Sequence, residues 1–212
     1  MSEERGLRMR LAAVARRFSA QGMNPGRSGN FSARLHGGFV ITPSGAPYET
    51  MHPDDLVYVD EQVGFGGGQR KPSTEWRLHR DIYARFGEAR AVVHTHSPFA
   101  TTLACLGRGI PAFHYEVAFA GGADIRCAPY ATFGTQALSD HALAALEGRR
   151  ACLLANHGAL AWGPALEEAA GLAEKLEALA RLYWQALQVG EPRILSDEEM
   201  AAVLARFEGY GR

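Results

Sequence analysis

Three cysteines among 212 residues are too few and too scattered to staple a fold. Cys105, Cys127 and Cys152 are odd in number and share no close spacing. That excludes a disulfide framework and a thiolate metal knuckle, and suits a reducing cytoplasm. Lysine is scarcer still. Only Lys71 and Lys175 occur, and Lys175 falls on the charged side of a long helical pattern, so Lys71 is left as the one candidate amine for Schiff-base chemistry. No block of like charge appears in a chain with a formal net charge of -1 and a pI near 6.7, so the footprint of a nucleic-acid binder is missing. No uninterrupted apolar run reaches the ~18 residues of a membrane span, and MSEERGLRMRLAAVARRF is charged and amphipathic, without the apolar core of a leader. Repeats and low-complexity linkers are absent too. What remains is the expectation of a soluble cytoplasmic protein with a small-molecule ligand and neither nucleic-acid nor membrane partners.

A hydrophobic content of 47% over this length suits one domain, 1–212, with a sizeable core. Leu7, Leu11, Val14 and Phe18 recur at helical spacing and predict a helix over 3–20. Asn30 to Leu35 and Gly38 to Thr42 read as a hairpin turning at His36-Gly37, and Leu56 to Val59 as a further strand. The loop DEQVGFGGGQR lacks P-loop spacing and reads as a flexible turn. Ala91 to His96 is a short apolar strand, and Ser97-Pro98 starts a helix closed by Gly107. Pro111 to Phe119 and Ile125 to Pro129 are expected as strands, with Thr135 to Leu146 helical. Ala151 to Ala155 and Ala159 to Trp162 meet at the sharp turn Asn156-His157-Gly158. A long amphipathic helix runs from Leu166 to Leu187, and Ser196 with Glu199 forms a capping box for a last helix ending near Phe207. Strands interspersed with helices predict an α/β fold, and the short joints predict a largely antiparallel or mixed sheet.

The chemistry concentrates between Lys71 and His96, KPSTEWRLHRDIYARFGEARAVVHTH. Alternate side chains of a strand share a face, so His94 and His96 project together and can chelate a metal. Pro72-Ser73-Thr74-Glu75 reads as a helix start, with a hydroxyl cap followed by an acid in the first turn. With His157 at its glycine turn, the set His94, His96, His157 and Glu75 offers three nitrogens and one oxygen to a divalent cation such as zinc, leaving room for substrate. Each residue also has a plainer reading. A lone histidine is more often a core or surface residue, Ser73-Thr74 can be a simple cap rather than an anion site, and Asn30 and Ser44-Gly45 can be hairpin residues. Tyr115 can be a half-buried strand aromatic. His36, His52, His79, His114 and His141 read as structural or solvated.

The segments GNFSAR, ITPSG, KPSTEW, VVHTHSP, HY, CAPYATFGT, ANHGALAWG and SDEE resemble, in order and spacing, the class II aldolase/adducin family, and within it the branch acting on L-fuculose 1-phosphate. The resemblance spans nearly the whole chain. It implies a three-layer fold with a central, mostly antiparallel sheet, and a homotetramer with active sites between subunits. It further implies zinc-dependent, reversible cleavage of L-fuculose 1-phosphate, or a close ketose 1-phosphate, to dihydroxyacetone phosphate and L-lactaldehyde or a similar aldehyde. His94, His96 and His157 match the zinc ligands, and Glu75 the acid that ligates the metal and serves as base. Asn30, Ser44, Gly45, Ser73 and Thr74 match phosphate-binding positions. Tyr115 matches a catalytic tyrosine reaching a neighbouring subunit, and Phe133, Phe207 and Tyr210 match residues lining the aldehyde side. Arg27 departs from the pattern, standing where relatives carry a small hydroxyl residue. Two other members of the family remain as alternatives: pentulose-5-phosphate 4-epimerases, whose characteristic acid at the Glu75 position is an aspartate, and non-catalytic adducin-like modules, which lack the metal histidines.

Overall fold

The computed structural model of the chain describes residues 3–67 and 70–207. Among them, seven strands form one sheet: β1 (Asn30–Leu35), β2 (Gly38–Ile41), β3 (Val57–Asp60), β4 (Ala91–Thr95), β5 (Cys127–Ala128), β6 (Ala151–Leu154) and β7 (Gly158–Gly163). Their spatial order is β3-β2-β1-β4-β7-β6-β5, and every pair is antiparallel except β5 with β6. Helices α1 (Glu3–Ala20), α2 (Trp76–Arg85), α3 (Pro98–Cys105), α4 (Gln136–Ala145), α5 (Leu166–Val189) and α6 (Asp197–Phe207) flank it. This is the α/β arrangement that the alternation of strand and helix patterns predicts.

Strand alternation divides the interior into two cores. Phe31, Ala33, Val40, Ala91, Val93, Ala159 and Ala161 pack with residues of α1, α3 and α5. Phe39, Ile41, Val57, Val92, Leu160 and Trp162 face the opposite side and pack with α2 and α4. The alanines on the first face let the long α5 approach closely, with its own Ala169, Ala170, Ala173 and Ala180 buried against them. β4 lies at the centre of the sheet and is buried along its whole length. No helix among the described residues is long and apolar enough to cross a membrane.

One expected strand is not formed. Pro111 to Phe119 gives instead a 3-10 helix over Tyr115–Ala120, and on its far side Ile125 makes only an isolated bridge to Ile110 before the two-residue β5. Pro111 brings no N–H to a ladder. His114 then caps the turn, its Nδ1 accepting from the Glu116 N–H at 3.3 Å, and Val117 and Ala120 point inward at the three-residue period of the tighter helix. At the other end of the chain the expected capping box is reciprocal: Ser196 N–H donates to Glu199 Oε2 at 2.8 Å, and Glu199 N–H to Ser196 Oγ at 3.2 Å.

The turn into β7 is a tight joint near the centre of the sheet. Asn156 takes a left-handed conformation, φ 54°, which asparagine tolerates better than most residues. At the next residue but one, a Cβ on Gly158 would stand 2.3 Å from the Thr95 carbonyl oxygen and 3.0 Å from the His96 ring. Gly158→Ala is therefore expected to lower the unfolding free energy by about 2 kcal/mol or more, read from a shifted denaturant midpoint. An unmoved midpoint would contradict this close approach.

Candidate metal centre

The sheet register assembles the centre. β1 sets Asn30 opposite His94, and β7 sets Leu160 opposite the same residue. Because i and i+2 share a face, His94 and Val92 point toward α2 with Asn30 and Ser32 beside them. His96 lies just beyond the end of β4, and the turn at Asn156 carries His157 to the same place. Glu75, in the cap position of α2, closes the group from above. The expected hydroxyl cap is thus displaced: Ser73 Oγ accepts from the Glu75 N–H at 3.3 Å, and the Glu75 carboxylate makes no capping bond because it turns toward the imidazoles.

The ligand atoms of His94, His96 and His157 all lie within 4.8 Å of one another. His94 Nδ1 is 2.9 Å from the Ala159 carbonyl oxygen. A carbonyl only accepts, so Nδ1 carries the proton and the neutral ring presents a bare lone pair at Nε2. That Nε2 stands 3.1 Å from His96 Nε2 and 3.2 Å from Glu75 Oε2. His157 Nε2 is 3.4 Å from Glu75 Oε1, a buried oxygen that accepts no hydrogen bond. Ligand atoms around a tetrahedral ion with bonds of about 2.0–2.1 Å sit ~3.3 Å apart, and the three separations bracket that value. The donor set and its orphaned oxygen therefore fit a divalent cation.

Burial opposes charge on every ring. It pushes His96 down to about 3 and His157 down to about 4, with His94 adding to both effects. At His94 burial acts in the same sense, but the Glu75 carboxylate outweighs it and raises the ring above its ordinary value. Burial would likewise raise Glu75. His94 and then His157 and the Asn30 amide overcome this and hold the carboxyl well below the usual carboxylate range.

A buried chain of polar groups stands behind Glu75. Asn30 Nδ2 donates to Glu75 Oε2 at 2.9 Å, and Asn30 Oδ1 accepts from His79 Nε2 at 2.5 Å. His79 Nδ1 is 2.6 Å from Ser32 Oγ, which is 2.7 Å from the Tyr83 hydroxyl. Full burial pushes His79 down to about 3. From the sequence, His79 reads as structural or solvated and Tyr83 as one of the residues patterning the helix after Glu75, while Ser32 carries no site role. The available signal was spacing, since His79 follows Glu75 by four residues and Ser32 follows Asn30 by two.

A cavity of about 300 Å³ opens from Glu75, His96 and His157 toward Ser44, Gly45, Ser73 and Thr74. Those four meet because Pro43 bridges Pro72, while Ser44 N–H donates to the Lys71 carbonyl and Ser73 N–H to the Thr42 carbonyl, each at 3.0 Å. Gly45 adopts φ +67°, a conformation natural to glycine. Arg27 is the only Lys or Arg among the described residues lining this cavity, and its Nη1 donates to the Gly45 carbonyl at 2.8 Å. Asn30 lines the cavity too, although both ends of its amide are taken by Glu75 and His79. Tyr130, Ala131 and Phe133 also line the cavity.

Two other expected site residues are placed elsewhere on the chain. Tyr115 is exposed in its 3-10 helix, stacked on His114, and not part of a strand. Phe207 packs at 4.5 Å on Phe119 and 6.4 Å from the Tyr115 ring. Neither lines the cavity of its own chain. Tyr210 lies outside the described residues. Lys71 is exposed, while Lys175 pairs with Glu116 at 2.9 Å on the other side of the sheet from Glu75.

Residues 9–184 match the family described as Class II Aldolase and Adducin N-terminal domain. The chain is 54% identical over 205 residues to a 5-methylthioribulose-1-phosphate/5-deoxyribulose-1-phosphate aldolase of Rhodospirillum rubrum, a match covering 97% of this chain and 92% of that one. It is 46% identical over 195 residues to an L-fuculose phosphate aldolase of Escherichia coli, covering 90% and 88% of the two. A solved L-fuculose 1-phosphate aldolase superimposes with a TM-score of 0.92 at 37% identity over 98% of both chains.

The metal-free protein should be acid-sensitive well above the carboxylate range. His79, His96 and His157 have folded pKa values below the ordinary 6.5, so the unfolded chain binds more protons than the folded one below about pH 6.5. Their contribution is complete above that pH and is lost as pH falls toward 4. His94 is raised and works in the opposite sense, being one ring against three. Each proton taken up only on unfolding contributes about 1.4 kcal/mol per pH unit. Chelated protein is therefore expected to lose stability steadily from pH 7 to pH 5 in denaturant titrations, and a flat profile would refute the burial of neutral rings.

Proposed function

The chain belongs to the class II aldolase and adducin family, and from that premise we propose that it is a zinc-dependent aldolase cleaving a ketose 1-phosphate with an apolar tail. The products are dihydroxyacetone phosphate and a short aldehyde. The observation that supports this most directly is one cavity joining the Glu75 and three-histidine cluster to a hydroxyl-rich pocket in which Arg27 is the single cation among the described residues. Relatives are named for two such substrates, L-fuculose 1-phosphate and the 5-deoxy or 5-methylthio forms of ribulose 1-phosphate. Both end in an alkyl or thioalkyl group, which suits the Tyr130, Ala131 and Phe133 lining.

His94, His96 and His157, with Glu75, would hold the cation, which when bound supplies Lewis-acid stabilisation of negative charge developing on the substrate oxygens. The Ser44, Ser73 and Thr74 hydroxyls and Arg27 hold the phosphate, so binding energy from this remote group fixes the reacting carbons relative to Glu75. The bond between carbons 3 and 4 breaks, its electron pair passing to carbon 3 and the adjacent carbonyl. The carbon 4 hydroxyl loses its proton to water as the aldehyde C=O forms, and the Glu75 carboxylate takes up a proton from water. Glu75 then delivers a proton to carbon 3, giving dihydroxyacetone phosphate, and removes it in the reverse direction. The burial of Glu75 and the free lone pairs of Oε1 suit a group that exchanges a proton with carbon.

Tyr115 acts at the aldehyde oxygen, but of a neighbouring copy. On this reading the Tyr115, Phe119 and Phe207 patch is presented outward to a second subunit of a homotetramer, where Tyr115 completes a site that its own chain does not supply.

The zinc-loaded protein is expected to release dihydroxyacetone phosphate from 5-deoxyribulose 1-phosphate and L-fuculose 1-phosphate, assayed by a coupled reductase. Accumulation of an epimer without release, or no turnover across a ketose 1-phosphate panel, would reject the assignment. Glu75→Gln should lower kcat by about 10²- to 10⁴-fold. Arg27→Ala should raise KM several-fold and flatten its dependence on salt, because one exposed charge pair is screened over about 10 Å at 0.1 M; a KM unchanged at low salt would remove Arg27 from phosphate binding.

A further inference from the structure

We infer that His79 is a positioning residue that orients the Glu75 carboxylate through the amide of Asn30. Only its kinetic consequence rests on the aldolase reading. The chain of contacts Glu75–Asn30–His79–Ser32–Tyr83 is buried throughout, with no member more than 5% exposed.

Its direction is fixed link by link. A carboxylate only accepts, so Asn30 must turn Nδ2 to Glu75 Oε2 and Oδ1 to His79. His79 must then carry its proton on Nε2, which leaves Nδ1 as an acceptor for the Ser32 hydroxyl. Ser32, having spent its proton, accepts from Tyr83. The reverse arrangement of Asn30 would set two acceptors face to face. An amide in the middle breaks any proton relay, so what the chain transmits is orientation. It ties down Oε2, which faces His94, while Oε1 is left toward His157.

The contacts interlock because two periods agree. Glu75, His79 and Tyr83 are successive fourth residues along α2, advancing about 6.0 Å each. Asn30 and Ser32 are alternate residues of β1, advancing about 6.6–6.8 Å. Helix and strand therefore run in step, each side chain from one seated between two from the other.

The test uses zinc alone as the probe. Dissociation constants are measured by chelator competition on the full-length metal-free protein. Glutamine at 79 keeps a donor at the reach of Nε2, whereas leucine keeps bulk without one. His79→Leu is expected to weaken zinc about tenfold or more, and His79→Gln to stay within about threefold. In a Glu75→Ala background His79→Leu should change affinity no further, since the group it orients is gone. Equal losses in both backgrounds would show that His79 merely supports the pocket, and would overturn the inference. Should His79→Leu not fold, Ser32→Ala replaces it; freeing Nδ1 lets the ring change tautomer, and unchanged zinc affinity there would equally reject the idea. With substrate, His79→Leu should lower kcat about tenfold at nearly constant KM and His79→Gln should restore it. A rise in KM alone would place His79 with phosphate binding instead. If the wild-type enzyme cleaves no ketose 1-phosphate, the aldolase reading fails, while the zinc measurements still decide the role of His79.

Discussion

Several electron-rich atoms aimed at one buried point are the constraint around which this protein is built. Imidazole nitrogens and a carboxylate separated by 3.1 to 3.4 Å repel one another unless something positive lies between them. In the metal-free state protons fill part of that role. Glu75 stays ionised and His94 is drawn toward its charged form, while His96 and His157 remain neutral. The position of each histidine is set by the strand or turn that carries it. Such a cluster holds together only if strands and turns supply geometry that the side chains would not choose.

The sheet does this through register. β4 is the central strand, and its neighbours β1 and β7 bring Asn30 and the His157 turn to the same face as His94. A slip of one residue in either pairing would send Asn30 or His94 to the opposite face, beneath α5, and scatter the site. Two apolar cores on the two faces make that slip costly, since Val92 and Val93, or Leu160 and Ala161, would exchange faces that pack against different sets of helices. Site geometry and core packing are thus enforced by the same alternation.

Much of this was legible in the chain itself. His94-Thr95-His96 sits in an apolar run short enough to be a strand, and glycine beside His157 marks a turn. Both signals are local, and the helix and strand bounds followed from equally local periodicities. What was not legible depended on partners far along the chain. Pro111 to Phe119 alternates well enough to pass for a strand, and only the missing donor at Pro111 and the His114 cap tip it to a 3-10 turn. Ser73 and Thr74 look like the cap of α2, but the nearby imidazoles claim Glu75 and move the helix start by a residue. His79 was indistinguishable from an ordinary core histidine, because its meaning comes from Asn30 and Ser32, nearly 50 residues earlier.

These arrangements carry a thermodynamic cost that bears on how metal and fold are linked. A buried oxygen without a donor, such as Glu75 Oε1, costs about 1–3 kcal/mol. The Asn24 amide adds a second case: its Oδ1 accepts from the His96 N–H at 3.1 Å while its Nδ2 is buried without an acceptor. Neither defect lies within the apolar cores, whose large buried side chains, among them Phe18, Phe31, Phe39 and Tyr83, are distributed over both faces of the sheet. The fold therefore does not need the site to be satisfied in order to exist, unlike a small domain whose core is the metal. It follows that a cation bound here stabilises the protein by mass action on a framework already formed. The strain of converging lone pairs is then expressed as affinity for a positive charge.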